Sequence, residues 1–275
     1  LLQKAGLSVP TTFAELEAAA KALNKDGVAG FASRGKGAAA VTQLSSYVYN
    51  YGGRYLENGK AVFDSPEALE ATRFYGRLLG NYGPQGVTSM SWENVMPVFQ
   101  AGKVAMWTDA SVFYGQIVDP SKTSIPAADI GVAQLPKGPK GDSPFIVVSW
   151  GMAMSSASKN KSAAQQFLDW ATSKELAVEG MLSNITMARD SAWANAEVRK
   201  VMNPGLVETQ AHAAKNGYPY DRPFMSSVGQ ARDLIGEVII ESINTKGTST
   251  KLAALAQEKA DAVDALLKTD GEYGL

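Results

Sequence analysis

The chain has 275 residues, a mass of 29.1 kDa and 45% apolar content, enough to pack one large domain or two small ones and too apolar for a disordered polymer. Its 26 basic residues stand against 27 acidic ones, a net charge of -1, which excludes a broad basic footprint for DNA, RNA or an anionic membrane. The absence of Cys and the single histidine, His212, exclude disulfide frameworks, thiolate zinc sites, cysteine nucleophiles and most histidine metal sites, and no stretch approaches the roughly 18 to 20 apolar residues of a membrane-spanning helix.

In chain order, Leu1 to Leu7 reads as the end of a helix stopped by Gly6. Leu1 is therefore expected to be an internal position of a longer protein. Thr12-Phe13-Ala14-Glu15 is a capping box that predicts a helix to about Asn24, with Phe13, Leu16, Ala20 and Leu23 on one face. Val28 to Ala32 is a short strand, Arg34-Gly35-Lys36-Gly37 a polar glycine loop, and Ala38 to Tyr49 a buried helix. Asn58-Gly59 predicts a tight hairpin turn, and Ser65-Pro66-Glu67 caps a helix with Pro at its first position, facing inward through Leu69, Thr72, Tyr75, Gly76 and Leu79.

Ser91 to Gln100 is a further helix containing Pro97, followed by strands over Gly102 to Trp107 and Ile130 to Leu135. Residues 136 to 141 carry no apolar side chain and read as a linker. The apolar run from Phe145 to Met154 suits a strand buried on both faces. Helices follow over Ser158 to Ser173, Lys174 to Met181, Val228 to Ile243 and Leu252 to Leu267. Strands alternating with helices place the fold in the α/β class.

Several groups carry possible chemistry. Gly35-Lys36-Gly37-Ala38-Ala39-Ala40 follows a strand and opens a helix, the context of a dinucleotide fingerprint, but Glu57 lies beside the hairpin turn rather than at the end of a second parallel strand. The same backbone amides beside Arg34 and Lys36 could bind another polar small molecule or simply make a turn. No G-x-S-x-G elbow accompanies His212, which lies in an exposed-looking helix. Glu93, Asp109, Asp190 and Asp221 leave a glycosidase pair open without demanding one. Trp92, Trp107 beside Asp109, and Trp150 beside Gly151 are either core aromatics or an indole wall for the C–H face of a sugar, with neighbouring polar groups taking its hydroxyls.

The order of these blocks resembles the extracellular solute-binding proteins of ABC transporters, the sugar- and polyol-binding group that includes maltose-binding protein. The resemblance is carried by Leu1 to Leu7 with Pro10 to Leu16, by Asn58-Gly59-Lys60 with Val62 to Ala68, and by Phe99 to Met106. It continues through Leu135 to Pro139, Trp150 to Met154, Ser158 to Lys161 with Ala164 and Phe167, and Ala188-Arg189. It implies a two-lobe periplasmic-binding-protein fold of class II with most of the first lobe absent. Residues 1–143 and 184–275 would then build the second lobe, and 144–183 would belong to the first.

It further implies a binding component, not an enzyme, with no cofactor, no metal and no catalytic residue. Its partners would be a small neutral sugar or polyol and the permease subunits, in the periplasm or outside the cell at the membrane. Arg34, Lys36, Asn50, Trp107, Asp109, Trp150, Gly151 and Arg189 carry over as ligand-binding positions. Met187 and Gly229 depart from the family pattern; loss of an aromatic near Gly229 favours a monosaccharide or polyol over a long oligosaccharide. An apolar strand and helix without their sheet would expose their faces unless a missing fragment or a swapped partner covers them. A glycosidase using paired carboxylates is the alternative.

Overall fold

The computed structural model describes residues 1–142 and 150–275. After a 3-10 turn at Gln3–Ala5, closed by Gly6 in the left-handed region, the chain forms α1 (Phe13–Leu23), α2 (Gly37–Asn50), β1 (Leu56–Glu57), β2 (Lys60–Ala61), α3 (Pro66–Tyr82), α4 (Trp92–Gln100) and α5 (Tyr114–Ile117). It continues with α6 (Lys161–Ala171), α7 (Lys174–Leu182), α8 (Asp190–Trp193), α9 (Ala196–Val201), α10 (Pro204–Asn216), α11 (Val228–Asn244) and α12 (Leu252–Asp270).

The helix starts follow the capping chemistry. Thr12 Oγ1 accepts from the Glu15 amide, and Ser65 Oγ accepts from the Ala68 amide ahead of Pro66. The predicted box at α1 is redistributed, because the Glu15 carboxylate reaches back to Thr11, taking its backbone N–H at 2.7 Å and its hydroxyl at 2.8 Å. Those bonds hold the Glu15 carboxyl below its usual range. Asn58 and Gly59 both have positive φ, 50° and 64°, as a tight turn between antiparallel β1 and β2 requires.

The main core joins α1, α2, α3, α11 and α12. At its centre Phe13 stacks on Tyr47 and Phe74, with centroids 5.0 and 5.1 Å apart. Offset ring pairs of this kind add to area burial. Burial pushes the phenols of Tyr47, Tyr55 and Tyr75 well above their usual range, so they stay neutral; Tyr47 Oη has no hydrogen-bond partner among the described residues. Tyr55 Oη donates to the Val41 carbonyl and Tyr75 Oη to the Arg34 carbonyl, each at 2.7 Å.

The two predicted strands at 28–32 and 102–107 run parallel as a short extended pair. The Ala29 amide donates to Lys103 O, Ala105 to Ala29 O, Ala32 to Met106 O and Thr108 to Ala32 O, at 2.8 to 3.1 Å. The strand expected over Ile130 to Leu135 does not form. Pairing occurs later, where Lys137 bridges Thr12, beyond Pro136, which has no N–H to give a ladder.

The run 136–141 is not a free linker either. Its Lys140 amide donates to Asn50 O at 3.0 Å, and a Cβ on Gly138 would lie 2.6 Å from that same oxygen. Close backbone approach, rather than flexibility, accounts for its small residues. Of the strand expected over Phe145 to Met154, residues 145 to 149 lie outside the described residues, and Trp150 to Met154 has no regular structure.

A second core gathers Tyr114 with Ala177 and Met181 of α7, Ala192 of α8, Val198 of α9 and Leu206 of α10. The short helices α5, α8 and α9 carry too few turns for a periodicity signal. By contrast α6 buries none of its residues: Phe167 and Trp170 are more than half exposed, 54% and 58%.

Candidate functional site

The parallel pair delivers Arg34 and Asp109 side by side, because each follows directly on a paired extended segment. Arg34 Nε donates to Asp109 Oδ2 at 2.9 Å and to Oδ1 at 3.2 Å, and Nη2 donates to Oδ1 at shorter range. The bidentate geometry fixes both planes. The aspartate side chain is 2% exposed and the arginine 15%, so water screens the pair weakly.

Two further donors converge on Oδ1: Gln43 Nε2 from α2 at 3.2 Å, and the Ala110 backbone amide at 2.8 Å. Behind the pair, Tyr75 Oη holds the Arg34 carbonyl and Ser33 Oγ donates to Thr108 O at 3.2 Å. Site and core are thus joined through buried side chains of α2 and α3.

Aromatic rings flank the pair. Phe113 stacks between Trp92, which opens α4, and Trp107, with centroids 4.6 and 5.9 Å away and interplanar angles of 22° and 9°. The Trp107 Nε1–H is buried without a partner among the described residues. Glu93 is exposed beside this stack; its carboxyl is held below its usual range first by the Ser91 hydroxyl, and also by Arg34 and Lys36. The surface here carries the partly exposed Arg34 edge, Lys36, the Glu93 carboxylate and the rim of the Trp92–Phe113–Trp107 stack, while the Asp109 carboxylate lies beneath it, 2% exposed.

Lys36 is the exposed N-cap residue of α2. The amides of Gly35 and Lys36 both donate to Met90 O at 3.0 Å, so they are spent within the protein. A Cβ on Gly35 would clash with the Val87 carbonyl oxygen, which gives this glycine a packing role and removes the dinucleotide fingerprint's rationale.

The remaining sequence-predicted positions lie apart from this group. Asn50 ends α2, whose 14 residues separate it from Lys36 by about 20 Å along the axis. It is fully buried, donates to Ser46 O at 2.7 Å and receives the Lys140 amide. Trp150 is 94% exposed and Gly151 has open space around it. Arg189 Nε donates to Thr172 O just past α6. His212 is not simply solvated: its side chain is 25% exposed, with Nε2 3.9 Å from Asp142. Asp221 is buried in a bond from Thr42 Oγ1 at 2.9 Å and an ion pair with Arg222.

Gln43 and Ser33 escaped the sequence reading, while Tyr75 was expected only as an inward-facing residue of α3 and Thr108 only as a neighbour of Trp107. The available signal was the polar content of a buried helix: Thr42, Gln43, Ser45 and Ser46 interrupt α2 where core residues are expected, and all four are buried. Two shallow concavities lie elsewhere, one beside Met152 to Met154 and Phe167, the other between Leu7 to Thr11 and α1. The second includes Ser8, Thr11 and Glu15, of which Thr11 and Glu15 bond each other, and the Arg34–Asp109 pair lies outside both.

Residues 1–178 match the family of bacterial extracellular solute-binding proteins. The chain belongs to that family. A mannitol-binding protein of Pseudomonas aeruginosa is 32% identical over 181 residues, 63% of this chain and 41% of the relative; the chain thus aligns with about two fifths of that protein's length. A solute-binding protein of an ABC transporter from Agrobacterium radiobacter, solved with ribitol, superposes with a TM-score of 0.83 at 27% identity, covering 96% of this chain and 67% of its own. A maltose-bound protein of T. maritima gives the same TM-score at 24% identity, covering 96% and 68%, and supports the fold. The fold is that of the two-lobe periplasmic binding proteins, of which this chain carries a largely helical part.

Proposed function

We propose that this chain is part of the substrate-binding component of an ABC importer, which captures a small neutral polyol or sugar between two lobes in the periplasm and delivers it to the membrane permease. The observation that carries the reading is the bidentate Arg34–Asp109 pair beside the Trp92–Phe113–Trp107 stack. The mannitol-binding relative and the ribitol-bound structure support a polyol. Asp109, 2% exposed and bonded to Arg34, Gln43 and the Ala110 amide, orients the Arg34 guanidinium, whose partly open edge would meet the hydroxyls while an indole face takes the C–H side of the molecule. A ligand that touches both lobes only when they close shifts the hinge equilibrium toward the closed form, the form a permease can distinguish. No bond is made or broken.

On this reading residues 1–143 and 184–275 belong to the second lobe and 144–183 to the first. The support is α6, which buries no residue and leaves Phe167 and Trp170 exposed; α7, in contrast, packs Ala177 and Met181 with Tyr114 and α8 to α10, which argues against placing 174–183 in the first lobe. Trp150 and Gly151 would reach the ligand from the first-lobe side of the cleft, and Arg189 from the second lobe, just after the return crossing. Asn50 is left out, since it holds the 138–141 loop at the far end of α2.

The test is a thermal-shift panel of alditols and monosaccharides on the full-length protein, with each compound assayed for turnover. A ligand at a hundred times its Kd adds about 2.7 kcal/mol. The expected result is a clear rise in melting temperature with mannitol or ribitol and no product; silence across the panel, or hydrolysis of a glycoside, overturns the reading.

A further inference from the structure

The segment between α10 and α11 buries alternate residues. Asp221, Pro223 and Met225 are buried, whereas Phe224 is 82% exposed and the Arg222 side chain 38%. The segment is pinned to α2 and the core from beneath: Tyr49 Oη donates to Tyr220 O at 2.6 Å, Thr42 Oγ1 donates to Asp221 Oδ2 at 2.9 Å, and Met225 joins the main core. Phe224 stands beside Tyr220, itself 42% exposed, with ring centroids 5.6 Å apart, so the pair presents an aromatic face to solvent. Between them in sequence is an arginine oriented as Arg34 is. Arg222 Nε donates to Asp221 Oδ1 at 2.8 Å, and Nη2 donates to Oδ2 at shorter range. This fixes the guanidinium plane and leaves Nη1 without a partner among the described residues. Resting on the polyol reading above, we infer that Arg222 and the Tyr220–Phe224 rings form a second contact surface for the ligand on this lobe, the guanidinium edge donating to hydroxyls and the Phe224 ring covering C–H bonds.

This surface lies at the same end of α2 as Arg34. Thr42, which holds Asp221, and Gln43, which holds Asp109, are consecutive residues of α2, about one turn past Ala38. Arg232 of α11 gives both Nε and Nη2 to the Ala38 carbonyl. Its guanidinium is held below its usual range first by burial, then by Arg222 and also by Arg34, so both arginines are within electrostatic reach of it. Two guanidinium edges, each set by a buried aspartate and each near aromatic rings, thus border one rim. A polyol chain carries hydroxyls and C–H bonds along its whole length, and two such sets fit it better than one. An apolar protein surface packed on this rim would strand the open N–H groups of Arg222, whereas hydroxyl oxygens accept them.

The experiment compares wild type with Phe224→Ala, Phe224→Trp and Arg222→Lys in the full-length protein, by calorimetric titration with mannitol and ribitol and by melting without ligand. Phe224→Ala should melt within about 2 °C of wild type, because little of the ring is buried, yet bind both alditols at least about tenfold more weakly. Phe224→Trp keeps an aromatic face and should stay within about threefold of wild type. Arg222→Lys keeps the charge beside Asp221 and loses the planar edge, so its affinity should fall by about tenfold. A crystal structure of the full-length protein with bound alditol should place the Phe224 ring against the ligand's carbon chain. Wild-type affinity in Phe224→Ala or Arg222→Lys, a loss in Phe224→Trp as deep as in Phe224→Ala, or a Phe224 ring that touches no ligand atom overturns the proposal. If wild type binds no alditol or sugar, the functional reading fails by itself. The ligand-free structure then decides this surface: opening onto the cleft between the lobes upholds it, and any other placement overturns it.

Discussion

Replacing Asp109 by Asn removes one charge from the Arg34 pair while keeping the side chain's shape. The carboxylate is 2% exposed and receives N–H groups from Arg34, Gln43 and Ala110. Arg34, at 15% exposure, is left with a largely desolvated charge whose remaining neighbouring carboxylate, Glu93, is exposed. Breaking a buried pair costs about 3–5 kcal/mol, and the partly open arginine edge argues for the lower end, about 3 kcal/mol. In a chain of this size that lowers the melting temperature by about 6–12 °C, taking about 2–4 °C per kcal/mol. Arg34→Met should cost about 2–3 kcal/mol, since two neutral N–H donors remain on the carboxylate. The double variant removes both charges, so it should cost less than the sum of the singles by about 2 kcal/mol. Calorimetric melts of the four proteins at neutral pH measure this cycle. An Asp109→Asn variant within about 1 kcal/mol of wild type, or additivity within about 0.5 kcal/mol, would refute the claim that the pair is buried and coupled.

Other expectations concern the scaffold. Phe13→Ala opens the ring cluster with Tyr47 and Phe74 and should cost about 3–5 kcal/mol in a urea melt. Gly76→Ala gains about 1 kcal/mol of helix propensity. Its Cβ would, however, lie 2.5 Å from the Ser242 carbonyl oxygen, where α3 meets α11; overpacking of about 1–3 kcal/mol and strain on the Ser242 bond to Thr72 O should leave a net loss, visible as a lower urea midpoint. Glu93 is held below its usual range chiefly by Ser91. Its folded pKa lies below the unfolded value, so its stabilising contribution is present above the ordinary carboxylate range and lost as pH falls through the lowered folded value. Ser91→Ala should move the Glu93 carboxyl titration upward in an NMR experiment and weaken the start of α4 by about 1 kcal/mol.

The local grammar of the sequence was enough for much of the scaffold. Thr12, Ser65-Pro66, Asn58-Gly59 and the apolar periods of α1, α3, α11 and α12 mark elements whose boundaries the structure shares to within a few residues. These signals are legible because capping, turn chemistry and amphipathic spacing act over three or four neighbouring residues. Ile130 to Leu135 misled for the opposite reason: a strand needs a partner, and nothing local to an apolar run says whether one will arrive.

The candidate site divides along the same line. Arg34, Trp107 and Asp109 were visible as residue types at the ends of strands, and the block order across the chain marked the family. Whether the two charges meet was decided by the parallel pairing of Ala29 with Val104 and Ala32 with Trp107, a contact between segments some 75 residues apart. Gln43, Ser33 and Tyr75 became part of the site through packing of α2 and α3 against that pair, while Asn50, on the same helix as Gln43, was carried about two turns away into a loop contact. Sequence by itself determined the elements and their chemistry, because those depend on near neighbours. Only tertiary structure decided which polar groups satisfy one another and which are left to face a ligand, because that depends on where the chain returns.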